Sequence, residues 1–474
     1  MKIPATHPSG ASCAPVALPL LVLWLLLGGC AGPPRIGECD PWYETESDLE
    51  LKAHVHREHT QSLVNDSGLL LYRSYLPWGA EGEMRRNYLD SHDIADALAW
   101  HGLEMASLAF EWAVTGESRD AELARMADGL LGSYAIAGEP GVIVRSYMSD
   151  YAGPRLEWME TPEEEPTKPW IRGEGGNWYR AGGAKNHFNL AVFGCAMPLA
   201  LDRRGEIELS TETRDRLVEY LVPAVRRFVE GGFRLRDADG TLTRFGDLRP
   251  DVALSSSGGE IPGLGNGFNR ALALHVLCSA RPYDCDIARV YERVARRWAP
   301  SIGNSMELVG EVIAAVGHWN FDRPSYSDMS AFSLAAFSLL LQEPRRPIAR
   351  HVRRGLSGLW EFMRYEHNAM FTLPYSTVRP VDESVSAVVT SLRRFPMPEH
   401  KRAFPLGRVS SKRFQPIHNR PPSSNYWKSS PFRTIEADRI GVLADESCRV
   451  PYYASQDYTL AYWMGRYVGG VPAH

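Results

Sequence analysis

His318-Trp319-Asn320-Phe321-Asp322, followed at once by Arg323, Tyr326 and Asp328, is the densest run of chemistry-bearing side chains in this sequence of 474 residues. It offers carboxylates and a phenol for proton transfer, a guanidinium to neutralise an anion, and aromatic rings to stack on a ligand. Sparser groups of the same kind recur. Asp90-Ser91-His92-Asp93 stands just before a helical pattern, where Asp90 or Ser91 would equally serve as an N-terminal cap. A glycine-rich stretch, GEGGNWYRAGG with Trp178 inside it, leads into Lys185-Asn186-His187. Its glycines would let a backbone approach an anion, but their spacing is not that of a nucleotide loop. His187, at the start of a helix, is better placed for proton transfer than the mid-helix His101 or His275. Asp247 has Arg249 and Asp251 for neighbours and reads equally well as half of an ion pair. Glu260 lies in SSSGGEIPGLGNG, a stretch that either wraps a ligand or merely links.

Helices must position these groups. Ile94–Val114 carries apolar residues at helical spacing, breaks at Thr115-Gly116-Glu117, and a second helix follows over Ala121–Ala137. The event repeats: Asn186–Leu201 with Arg214–Val229, Phe268–Ala280 with Ile287–Trp298, and Tyr326–Leu341 with Ile348–Tyr365. Further helices are expected over Val381–Arg393 and Gln456–Tyr467. Short turns make antiparallel neighbours, so these are αα-hairpins. Between hairpins run long connections rich in Gly, Pro and aromatics: Val142–Lys185, Gly232–Asn266, Ala299–Ser325 and Glu366–Pro380. Loops beyond about 12–15 residues are uncommon unless functional or disordered, and the aromatics argue against disorder. If the hairpins pack side by side, the long loops share one rim, with Glu366-His367-Asn368 on it. Asp-Ala-Asp-Gly240 between two strand-like runs predicts a small β-hairpin there. The fold class expected is therefore all-α, a toroid of about six helical hairpins with an elaborated mouth.

These alternating hairpins, the phrases AWHGLEMASLAFEWAVTGES and RLRDADGTLTRFGD, and the aromatic loops resemble the six-hairpin glycosidase-like (α/α) toroids. The resemblance is architectural and covers roughly Tyr72 to Val471. It implies carbohydrate chemistry: the superfamily contains inverting glycoside hydrolases, uronyl hydrolases, polysaccharide lyases and sugar epimerases. An inverting hydrolase needs an acid and a base carboxylate about 6.5–9.5 Å apart, and Asp93, Asp247, Glu260, Asp322 and Asp328 are the candidates. A lyase instead abstracts a proton beside a uronate carboxyl. Asn186, His187 and Arg323 would neutralise that carboxyl, and Tyr326 would act as base. His92, Trp178, Trp319, Asn320 and Glu260 complete the expected substrate contacts. Arg145, Arg172, Arg180 and Arg249 in the same loops point to an anionic glycan, although each also has acids nearby to pair with. The expectation is an enzyme, hydrolase ahead of lyase. The alternative is a non-catalytic surface glycan-binding lipoprotein, and a third possibility is a lipid-held cell-wall scaffold.

The N-terminus reads as an address. Val16–Leu27 is an unbroken apolar run of twelve residues, too short for a bilayer core that needs about 20, and small residues follow it. Leu27-Gly28-Gly29-Cys30 resembles a bacterial lipobox. That implies a signal peptide over 1–29, diacylglyceryl attachment at Cys30 and, with Ala31 next, the outer membrane of a Gram-negative cell. Residues 30–65 are then a tether, and 66–474 a single domain. An exported chain favours disulfides, and Cys278 with Cys285, flanking one interhelical turn, are the expected pair. Cys39 with Cys448 is a weaker one. Lys plus Arg total 52 against 57 for Asp plus Glu, a net charge of −5, which gives no overall basic footprint for nucleic acid. No CxxC or HxxxH spacing suggests a metal, and nothing calls for a nucleotide or flavin.

Overall fold

The computed structural model describes residues 48–70, 73–77, 97–148, 170–249, 264–316, 326–364, 368–393 and 449–473. They belong to one compact unit, Glu46–His474, which holds its own core. Among the described residues the chain is predominantly helical, as expected, with twelve α-helices and three small antiparallel sheets. In order the helices are α1 (Leu49–Ser62), α2 (Ala97–Thr115), α3 (Asp120–Ala137), α4 (Lys185–Arg203), α5 (Thr211–Glu230) and α6 (Leu264–Ala280). There follow α7 (Cys285–Val316), α8 (Tyr326–Gln342), α9 (Pro347–Met363), α10 (Ala369–Ser376), α11 (Asp382–Arg393) and α12 (Gln456–Tyr467). The strands are β1 (Arg73–Pro77), β2 (Ser146–Met148), β3 (Trp170–Arg172), β4 (Trp178–Arg180), β5 (Arg234–Arg236), β6 (Leu242–Asp247) and β7 (Arg449–Tyr453). They pair as β1–β7, β2–β4–β3 and β5–β6, the last being the expected hairpin.

The helices alternate in character. In α2, α4, α10 and α12 nearly every residue is buried, whereas α5 buries one face and exposes a charged one. A helix apolar all round needs neighbours on every side, and an amphipathic one needs them on one side only. The packing follows. The even-numbered helices contact one another in a closed cycle, α2–α4–α6–α8–α10–α12–α2, and each odd-numbered helix lies against at least one of the even helices beside it. The cycle has two distinct ends. Gln342 at the end of α8 bonds Arg203 at the end of α4 (3.2 Å) and Ser279 at the end of α6 (3.3 Å). At the end of α12, Tyr467 bonds Glu206, just after α4 (2.8 Å). The C-termini of these even helices therefore gather at one rim and their N-termini at the other.

The tightest crossing is α2 against α4. A Cβ on Gly102 would fall inside van der Waals contact of the Leu190 carbonyl, and one on Gly194 would lie 2.5 Å from the Gly102 Cα. Backbone cannot retreat as a side-chain tip can, so Gly102→Ala is expected to cost about 2–3 kcal/mol. Denaturant unfolding of the variant measures this, and an unchanged midpoint would contradict the crossing.

Three expectations are corrected. The segment 49–62, read as part of the tether, is helix α1. Its buried face is Leu49, Lys52, Ala53, His56, His59 and Thr60, so no apolar stripe betrays it. Asp48 caps it through Glu50 N at 2.9 Å. The loops expected after Trp298 and after Tyr365 are largely helical. Helix α7 runs on through Pro300 to Val316 because Trp298 and Ile302 are buried against its neighbours, and the short α10 is buried on all sides. Finally, the Cys278–Cys285 bridge is not formed, and both are free thiols. Cys278 faces the core, where burial pushes its pKa up, while Cys285 opens α7 facing solvent. A thiol reagent is expected to label Cys285 in the native protein, and Cys278 and Cys195 only after unfolding. A 278–285 bridge in non-reduced peptide mapping would overturn this.

Candidate functional site

The rim formed by the N-termini of the even helices carries all the described strands. β2, β3 and β4 precede α4, the β5–β6 hairpin precedes α6, and β1 and β7 precede α2 and α12. Hydrogen bonds tie neighbouring pieces into one band. Leu98 N at the start of α2 donates to Arg145 O (3.3 Å), and Arg145 N to Arg180 O on β4 (2.8 Å). The amide of Gly182, between β4 and α4, donates to Oδ1 of the buried Asp237 in the hairpin turn (2.8 Å). Asn269 Nδ2 on α6 donates to Arg249 O just past β6 (3.1 Å). Three successive entries to the inner helices are thus joined edge to edge.

His187 occupies the first turn of α4, 2 % exposed, and its Nδ1 accepts from Ala184 N at 3.3 Å. Acceptance at Nδ1 places the proton of a neutral ring on Nε2. Asn186 Oδ1 accepts from His187 N (3.1 Å), so both side chains also help to finish the helix end. Lys185, buried beside them, reaches across to α6 with its Nζ 5.2 Å from the centre of the Phe268 ring. Trp178 is half-buried on β4, paired opposite Met148 and Arg172.

Asp247 ends β6, on the element that packs against α4. Its carboxylate is gripped by Arg249, with Nε 3.0 Å from Oδ1 and Nη2 2.7 Å from Oδ2. Partial burial works to raise its pKa, but the Arg249 side chain and amide, with Arg234 beyond, hold it below the usual carboxylate range. Of the two readings open for Asp247, the ion pair is the one observed. A carboxylate held ionised in this way is a poor general acid.

Tyr326 and Asp328 lie in the first turn of α8, which packs on both α4 and α6, and so share the rim in backbone position. His92, Asp93, Glu260, Trp319, Asn320, Asp322 and Arg323 lie outside the described residues, as do Cys30, Cys39 and Cys448. Among the described residues no group of three or more His, Cys, Asp or Glu is arranged to hold a metal ion.

Two interior features escaped sequence reasoning. Asp237 was read only as a turn residue, though its near-complete burial makes it the link between β4–α4 and the hairpin. Asn189, one turn into α4, donates to Lys185 O (2.9 Å) and meets His275 Nδ1 on α6 (3.3 Å). Burial pushes the His275 pKa down to about 3 and that of His101 down to about 4, so both are neutral packing groups. His101 is further fixed by Leu70 N (3.1 Å) and Met126 O (2.8 Å). Compared with known proteins, the chain matches no family model, no curated protein and no solved structure.

Proposed function

We propose that this chain is an exported, lipid-anchored carbohydrate-active enzyme on an (α/α) toroid, cleaving a polysaccharide or oligosaccharide at the strand-bearing rim. The observation that carries the reading is the closed cycle of even-numbered helices with every described strand at one end. In this reading the mouth lies on the axis of the cycle, at the end where the inner helices begin. A fold supports a function only by analogy, so the chemistry rests on the side chains. His187 is the proton-transfer candidate, with Asp93, Asp322 and Asp328 as the carboxylates that would pair across the mouth, and hydrolysis with inversion is favoured over elimination. Asp247 drops to a positioning part through Arg249. One observation favours the alternative of a non-catalytic glycan-binding lipoprotein: the Arg249 grip on Asp247 and the capping bond of His187 show both groups already occupied.

The deciding experiment incubates residues 46–474 with neutral and acidic polysaccharides and follows both new reducing ends and the ultraviolet absorbance of unsaturated uronates. Reducing ends without unsaturation are the expected result, whereas unsaturation would transfer the assignment to a lyase. Binding with no cleavage of any polysaccharide would favour the non-catalytic reading. Among the described residues no helix is long and apolar enough to cross a membrane, so the anchor proposed is the lipid at Cys30. Cys30→Ser is expected to move the protein from the membrane to the soluble fraction, and unchanged detergent partitioning would remove the lipoprotein assignment.

A further inference from the structure

Helices α7 and α9 pack side by side on the outside of the helix cycle and come closest at Gly303 and Gly355, where a Cβ on Gly355 would lie 3.1 Å from Ile302 O. They run parallel: Arg346 pairs with Glu292 near their starts, and Arg354 Nη1 bonds Asn304 Oδ1 (2.9 Å) further along. Both carry arginine at the same interval. On α7 it stands at Arg289, Arg293, Arg296 and Arg297. On α9, from its N-cap onward, it stands at Arg346, Arg350, Arg353 and Arg354. All eight are exposed, because Ile348, Val352 and Leu356 on α9, with Ile287, Tyr291 and Trp298 on α7, take the inward face. At a rise of 1.5 Å per residue each run is about 12 Å long, and helix spacing of about 8–10 Å sets the two runs side by side on one face. Over residues 285–304 and 345–354 the sequence holds nine arginines, no lysine and two carboxylates, in a chain whose net charge is −5. Both carboxylates are taken, Asp286 by Arg289 and Glu292 by Arg346. His351, set among these arginines, has its pKa lowered by burial first and then by Arg350 and Arg354.

We infer that this arginine-bearing outer wall is a docking surface for the phosphate headgroups of an anionic lipid bilayer. The guanidinium fork matches phosphate geometry and remains charged at any physiological pH. A two-helix face of arginines with no exposed aromatic or aliphatic anchor selects a headgroup layer over other polyanions. The large hydrophobic side chains exposed among the described residues are Leu51 and Leu242, neither of them on α7 or α9. Single-stranded nucleic acid is ordinarily gripped by stacking rings, which this face lacks, and sugar rings are held by aromatic side chains of the same kind. The wall is independent of the rim and of any catalytic role.

The test is co-sedimentation of residues 46–474, which lack Cys30 and the apolar run, with vesicles. Neutral phosphatidylcholine vesicles are compared with vesicles containing about one third phosphatidylglycerol, at low and high salt. Binding is expected to the anionic vesicles alone and to be lost at high salt. The variant Arg293→Gln, Arg296→Gln, Arg297→Gln, Arg350→Gln removes four exposed charges that hold no ion pair among the described residues. It is expected to bind on the order of a thousandfold more weakly with an unchanged circular-dichroism spectrum. Neutralising Arg236 and Arg244 on the β5–β6 hairpin is expected to change little. Failure to bind anionic vesicles, equal binding to neutral ones, or equal binding by the fourfold variant overturns the inference. Tighter binding to a soluble acidic polysaccharide or to DNA than to vesicles, lost in the same variant, reassigns the wall to that polyanion and also overturns it.

Discussion

His187→Ala is expected to lower turnover of the proposed glycan substrate by about 10²–10⁴-fold, the usual contribution of a positioned acid or base. The same change removes the acceptor for Ala184 N, a bond of 3.3 Å at the start of α4. Losing a cap of this kind costs about 1 kcal/mol, so a modest fall in the thermal midpoint accompanies the kinetic loss. The two effects separate with a second variant. His187→Gln keeps a carbonyl oxygen on a side chain of similar reach and restores the cap, yet it cannot exchange a proton near neutral pH. The proton-transfer role therefore predicts a recovered midpoint with turnover still lost. A purely structural His187 predicts that turnover returns with the midpoint. Asp322→Asn is expected to match the His187→Gln phenotype, with stability near that of the parent. Undiminished turnover in both would remove these two residues from the mechanism while leaving the rim as the site.

How legible this was in the sequence depended on what each segment buries. Helices α2 through α6 and α8, α9, α11 and α12 were readable because their apolar periodicity is the imprint of core packing, with Leu103, Phe110 and Phe193 all fully inside. The β5–β6 hairpin was readable from its Asp-Ala-Asp-Gly turn. Helix α1 was not, because it turns Lys52, His56, His59 and Thr60 inward, and no hydrophobic pattern distinguishes such a face from a polar tether. The continuation of α7 past Pro300 was hidden for a different reason: local propensity stops the helix there, and only the burial of Ile302 against α9 carries it on. The thiols of Cys278 and Cys285 illustrate a limit of spacing arguments, since sequence separation says nothing about which way two side chains face. At the rim, the sequence located His187 at a helix start and left Asp247 between catalysis and ion pairing. Deciding the latter needed the position of Arg249 on both carboxylate oxygens.

Glu104→Gln is expected to remove a contribution to folding stability that the parent protein loses between about pH 4.5 and pH 8. Glu104 lies on α2 where the helix cycle closes. It accepts from Gln61 Nε2 on α1 and from Thr459 Oγ1 on α12, both at 3.0 Å. Complete burial is the main reason its pKa rises to about 8; the Gln61 and Thr459 bonds and Arg57 oppose that rise, while Glu111 adds to it. Below pH 8 the group is thus a neutral acid. Thr459 Oγ1 donates to its Oε2 and also lies 3.4 Å from Ser455 O. In the unfolded chain the same carboxyl ionises near 4.5. Between those values the folded state holds a proton that the unfolded state has released. The stabilisation is accordingly complete below about pH 4.5 and is lost as pH rises towards 8, a change on the order of 5 kcal/mol. Other groups pull the opposite way. His101 and His275, whose pKa values burial lowers, favour folding as pH rises to about 6.5, and the buried Lys52, lowered to about 7, does so above that. The parent profile alone is therefore ambiguous, and the informative quantity is the difference between parent and variant. Glutamine keeps an amide oxygen as an acceptor on a side chain of the same shape and carries no ionisable proton. Urea unfolding at pH 5, 7 and 9 is expected to show the variant within about 1 kcal/mol of the parent at pH 5 and more stable by several kcal/mol at pH 9. Parallel profiles across that range would mean that Glu104 is ionised in the fold, with Arg57 as its counter-charge.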